Sequence, residues 1–127
     1  MSDYFNHETT IVAGKTLMES FVLYRDDAGT DAFDWTGWTL RGSIRRRNDF
    51  DGDPIVEYSE SNSRVQFNDP RSDGVVRLYI SAADTAGLPP GQYVREIERV
   101  STDHGAGDEV VVGFIYAIVN VRREIAV

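Results

Sequence analysis

The chain of 127 residues contains no cysteine. That removes any disulfide framework, any thiolate nucleophile and any zinc–thiolate site. The fold must be held by packing, or by neighbouring chains. Lysine is nearly absent too, with Lys15 alone against twelve arginines. Histidine occurs twice, as His7 near the N-terminus and His104 in a loop-like stretch, and neither has a motif partner for acid–base or nucleophilic work. No apolar run approaches the roughly 20 residues that span a bilayer. The opening MSDYFNHETT has neither the basic start nor the apolar centre of a secretory signal. These absences point to a cytoplasm, or to an assembly built in one, with no membrane partner. The pattern GxGxxG does not occur. Ala13-Gly14-Lys15-Thr16 lacks the earlier glycine of a phosphate loop and leads into alternation, not a helix.

What is present is a globular composition, 41% hydrophobic and 27% charged, in a length that fits one domain with one ordinary core. A net charge of −8 favours solubility and argues against nucleic acid as a partner. Of thirteen aspartates, eleven fall in stretches that read as turns, where a short carboxylate bonds nearby backbone N–H groups. The acidity is therefore turn chemistry on a solvated rim, not an acidic active site.

Period-two alternation dominates the rest. A short strand at 11–13 and the Gly14-Lys15 turn lead into a strand from Thr16 to Arg25, with Leu17, Phe21 and Leu23 on one face and Glu19 interrupting it. Further strands are expected at Thr39–Arg47, Ile55–Tyr58, Arg64–Phe67, Gly74–Ile80, Gln92–Val100 and Glu109–Val121. Ser81-Ala82-Ala83-Asp84 reads as a capping box opening a brief helical turn that Gly87 ends. Seven to eight short strands separated by turns at intervals of ~8–12 residues describe a β-sandwich or barrel. Residues 1–10 are expected to form a flexible arm and residues 11–127 a single sandwich domain.

The stretch DWTGWTLRGSIRRR, residues 34–47, holds both tryptophans and four arginines. If Leu40, Gly42 and Ile44 face inward, Arg41, Ser43 and Arg45 face outward. Trp35 and Trp38 flank Gly37 at the corner entering the strand, where large aromatics seal the end of a core. Arg41, Arg45 and Arg47 then form an ion-paired outer face or a subunit contact, since arginine is favoured at protein interfaces. The rival reading is a carbohydrate-binding platform built from Trp35, Trp38 and Tyr79.

Metal readings are weaker. Asp49, Asp51, Asp53 and Glu60 occupy positions 1, 3, 5 and 12 of a calcium-loop frame, but Pro54 stands at position 6, where glycine is needed. A rigid acidic turn explains them. His104 beside Asp103, Asp108 and Glu109 reads as an exposed loop. No cofactor is expected, and nothing selects a carboxylate pair for a hydrolase.

Four segments occur in order: VAGKTLMESFVLYRDDAG, FDWTGWTLRGSIR, DGVVRLYISAADTAGLPPGQYVREIE and VVVGFIYAIVNV. That succession, over residues 11–121, resembles a group of small tailed-phage virion proteins, and the immunoglobulin-like N-terminal domain of phage baseplate upper proteins. Trp35 and Trp38 stand where that pattern has a leucine and a tyrosine, and Arg95 where it more often has an aromatic. The resemblance implies an all-β, immunoglobulin-like sandwich of about seven to eight antiparallel strands. It also implies a non-enzymatic adaptor of the virion, in the tail or baseplate, assembled in the host cytoplasm. Without the long C-terminal region of the larger relatives, a head-decorating role is the alternative. The expected partners are other virion proteins and copies of itself. Tyr4, Phe5 and His7 of the arm are the expected segment that orders on a neighbour, with the apolar Ile125-Ala126-Val127 second.

Overall fold

Alternating side chains require two dry faces to meet, and the chain provides them as two stacked sheets. The computed structural model describes residues 8–26, 28–47, 53–101 and 110–123. Among these the strands are β1 (Thr9–Ala13), β2 (Leu17–Val22), β3 (Trp38–Arg46), β4 (Val56–Tyr58), β5 (Val65–Phe67), β6 (Val75–Ile80), β7 (Gly91–Ser101) and β8 (Val110–Arg123). One sheet has the order β1-β8-β7-β3-β4 and the other β2-β6-β5. The β8-β7-β3 centre and the β2-β6-β5 sheet match the two faces of an immunoglobulin-like sandwich, with β4 as an added edge strand. No helix among the described residues is long and apolar enough to cross a membrane.

Two expectations change. β1 begins at Thr9, so residues 9 and 10 are strand and not arm. β1 also pairs with β8 in parallel, Thr9 opposite Val119 and Ala13 opposite Arg123, so the sandwich is not antiparallel throughout. The cause is the tight turn after β1, in which the Lys15 N–H donates to the Val12 carbonyl at 2.9 Å. It carries the chain from one sheet to the other, instead of folding it back beside β1. Helix α1 (Ala82–Ala86), the brief helical turn, holds this crossing in place. The Ser81 hydroxyl caps it by accepting from the Asp84 N–H at 3.2 Å. Its fully buried Thr85 accepts from the Gly14 N–H at 3.1 Å and donates to the Lys15 carbonyl at 2.8 Å.

The core fills the gap between the sheets with Ile11, Leu40, Ile44, Val76, Leu78, Ile97, Ile115 and Val119 among others. At Ile97/Glu98 the β7–β8 register slips: Ile97 faces Ile115 while Glu98 faces Gly113, leaving Phe114 as the extra residue of a β-bulge. The bulge turns Phe114 into the core, edge-on to Phe21 at 5.8 Å and to Trp35 at 5.8 Å. Beside it β3 and β7 come so close that a Cβ at Gly42 would lie 2.2 Å from the Glu96 carbonyl oxygen. Only glycine fits there.

Candidate functional site

The tryptophan corner belongs to the core. Trp35 is 0% exposed, and its indole N–H donates to the Gly74 carbonyl at 3.1 Å. Phe33 meets Trp35 and Trp38 edge-on, with centroids 5.0 and 5.6 Å away, and Phe67 tilts against Trp35 at 5.1 Å. Guanidinium groups close the cluster: Arg71 stacks over Phe67 at 4.2 Å and Arg99 over Phe33 at 5.6 Å. Arg71 also donates to the Trp38 carbonyl at 2.9 Å and pairs with Glu60. Tyr79 lies on β6 of the other sheet, opposite Met18. The structure therefore does not bring Trp35, Trp38 and Tyr79 together, and the carbohydrate platform is not formed. Glu60, of the calcium-loop frame, is bonded to Arg71 and to the Thr39 hydroxyl at this corner. Asp49 and Asp51 lie outside the described residues. So do Tyr4, Phe5, His7, Asp103, His104, Asp108, Glu109 and Ile125.

The arginine row lies where alternation puts it, on the outer face of the five-stranded sheet. Arg41 is opposite Glu98, Ser43 opposite Glu96 and Arg45 opposite Val94 on β7. Glu57 faces Ser43 from β4, and Tyr116 faces Glu96 from β8. These side chains line a shallow depression of ≈ 390 Å³ around Arg41, Arg45, Glu57, Glu96 and Glu98. A smaller one of ≈ 250 Å³ runs on toward Val94 and Tyr116. Arg47, just past the end of β3, donates to the Gln92 side-chain oxygen at 2.6 Å. Opposite charges on neighbouring strands contribute roughly 0.2–1 kcal/mol each. Such pairs on an exposed face are ready to exchange partners.

A third group of polar residues sits inside the sandwich. Leu17, Glu19 and Phe21 of β2 share the inward face, and so do Tyr93, Arg95 and Ile97 of β7. Glu19 and Arg95 therefore meet between the sheets. Arg95 Nη1 donates to Glu19 Oε1 at 2.5 Å and Nη2 to Oε2 at 3.1 Å, a two-pronged fork. The Arg95 side chain is 0% exposed and that of Glu19 8%. Burial alone would depress the Arg95 pKa, but the Glu19 hydrogen bonds, the charge on Glu19 and the adjacent Tyr58 raise it on balance. Burial also pushes the Tyr58 hydroxyl upward, with Arg95 opposing.

The position of this pair in the sandwich is informative. Tyr93 opens β7 and donates from its hydroxyl to the Pro89 carbonyl at 2.6 Å. This is the tyrosine corner of immunoglobulin-like domains, two residues before the strand position that carries the second cysteine of their inter-sheet disulfide. Arg95 occupies that position, and Glu19 faces it from the other sheet. In a chain without cysteine, an ion pair spans the sheets where those domains place a covalent bond.

No protein-family model matches the chain, and no curated protein matches it. Among solved structures, a family 123 glycoside hydrolase from Clostridium perfringens, studied for glycolipid glycan hydrolysis, is similar at 10% sequence identity and a TM-score of 0.35. The match covers 94% of this chain and 23% of that one. At that level of similarity nothing follows about what this chain does.

Proposed function

We propose that the chain is a non-enzymatic structural or adaptor module of a tailed-phage virion, placed in the tail or baseplate. There it contacts neighbouring virion proteins and copies of itself. The observation that carries this reading is where the phage-like motifs fall in the fold: each builds the sandwich. LPPGQY forms the tyrosine corner through Pro89 and Tyr93. The serine-to-threonine motif of ISAADT, Ser81 to Thr85, caps α1 and ties the β1–β2 crossing. DWTGW seals the core end. What remains for partners is surface, chiefly the Arg/Glu face of the five-stranded sheet with Arg41, Arg45 and Glu98 at its centre. Weak contacts of this kind suffice in a symmetric particle, where repetition multiplies them.

The test is to follow the chain, by a small tag or an antibody, through density-gradient purification of intact particles. The reading expects it to band with the particles and immunogold to mark the tail or baseplate. Marking of the head would favour the decorating role. Absence from particles made in cells that express the chain would overturn the reading.

A further inference from the structure

Sheet edges expose unpaired backbone groups, and natural proteins blunt them with charge, proline, bulges or shortness. β4 and β5 are three residues each, with Glu57 at the centre of one and Gln66 at the centre of the other. β2, the edge of the three-stranded sheet, carries none of these devices. It runs six residues, Leu17–Val22, and its outward side chains are Met18, Ser20 and Val22, all uncharged. Met18 is 59% exposed and Val22 46%.

The hydrogen-bond phase of this edge is fixed by its surroundings. The Leu23 N–H donates to the Gly74 carbonyl, and Tyr79 and Val75 of β6 bond toward β5. Leu17, Glu19 and Phe21 are therefore the residues that bond Ile80, Leu78 and Val76. The N–H and C=O groups of Met18, Ser20 and Val22 point away from the sheet, and among the described residues nothing pairs with them.

We infer that β2 is a self-association edge that pairs antiparallel with β2 of a second copy of this chain about a two-fold axis at Ser20. In that register Ser20 meets its own copy and Met18 meets Val22 on both sides. All three open residues of each strand are then paired, and no other two-fold register pairs as many. The two three-stranded sheets become one of six strands, with an unbroken outer row of Met, Ser and Val. Net charge of −8 opposes the meeting of two copies in general. At this edge the opposition is small: its one acid, Glu19, points inward and is neutralised by Arg95, and Arg77 lies beside Ser20 on β6. A strand pair of this length is small beside the roughly 1,200 Å² of a standard interface, so a dissociation constant of about 10 μM to 1 mM is expected. The contact deepens the building-block reading and rests on it only for biological use, since solution dimerisation and location on a particle are measured separately.

Sedimentation equilibrium of the full chain up to about 1 mM is expected to show a monomer–dimer equilibrium. Ser20→Pro removes an N–H that β6 does not use, so it is tolerated at an edge and is expected to weaken dimerisation at least tenfold. Amide exchange supplies the second measurement, needing no variant: protection at Met18, Ser20 and Val22 is expected to rise with concentration. A monomer throughout the range overturns the inference, as does a dimer that folded Ser20→Pro leaves unchanged. Protection of these amides at every concentration without dimer also overturns it, because the chain would then be covering its own edge.

Discussion

Arg45 and Arg95 sit on adjacent strands one register step apart, Arg45 opposite Val94 and Ile44 opposite Arg95, yet they live in different solvents. Arg45 shares a wet face with Glu96 and Arg41, where charges are screened and exchangeable. Arg95 is sealed between two sheets, forked onto the Glu19 carboxylate with Tyr58 beside it. The step from one face of a pleat to the other turns the same side chain from an inexpensive surface contact into a group whose isolation the fold cannot tolerate.

The largest effect should come from breaking the inner pair. Arg95→Ala leaves the Glu19 carboxylate buried without its partner and is expected to cost about 3–5 kcal/mol in urea unfolding. Trimming the other side of the comparison should do little. Before that come two changes in the strands that carry it. Gly42→Ala forces a Cβ against the Glu96 carbonyl and is expected to cost about 1–3 kcal/mol, read as a lower midpoint at unchanged slope. Tyr93→Phe removes the hydroxyl donated to Pro89 and is expected to cost about 0.5–1.5 kcal/mol. Arg41→Ala and Arg45→Ala on the outer face should each cost less than about 1 kcal/mol, with the difference shrinking as salt is raised. An outer substitution as costly as the inner one would dissolve the contrast.

Acid gives a smaller and separate signal. Asp26 is held below its ordinary value of 3.8 first by the Thr30 hydroxyl, Asp34 by the Thr36 N–H, and Asp84 by Arg64. A depressed folded pKa means stability that is full above the unfolded value and lost as pH falls through the folded one. Unfolding midpoints should therefore be flat above about pH 5 and fall below about pH 4. Asp84→Asn should soften that fall slightly.

The strands were legible because Leu40, Ile44, Val76, Leu78 and Ile80 alternate cleanly, and the turns because glycine and aspartate mark them. The corner role of Trp35 followed from its place beside Gly37. The parallel β1–β8 pair was not legible, because a turn that crosses between sheets and one that folds a hairpin use the same residues. Arg71 and Arg99 were missed because stacking on Phe67 and Phe33 depends on loops meeting in space. The inner pair left a trace that went unread. Glu19 was in phase with Leu17 and Phe21, and Arg95 with Tyr93 and Ile97: opposite charges at inward positions of two strands. Taken singly, Glu19 reads as an interruption of its strand and Arg95 as a departure from an aromatic position.

The most direct test is a double-mutant cycle on Glu19→Leu and Arg95→Met, followed by equilibrium denaturation. If the ion pair ties the sheets, each single variant loses about 3 kcal/mol or more, while the double variant loses less than either and can match the parent. Losses that simply add, with the double variant the least stable of the four, would contradict the claim that Glu19 and Arg95 act as one unit across the sandwich.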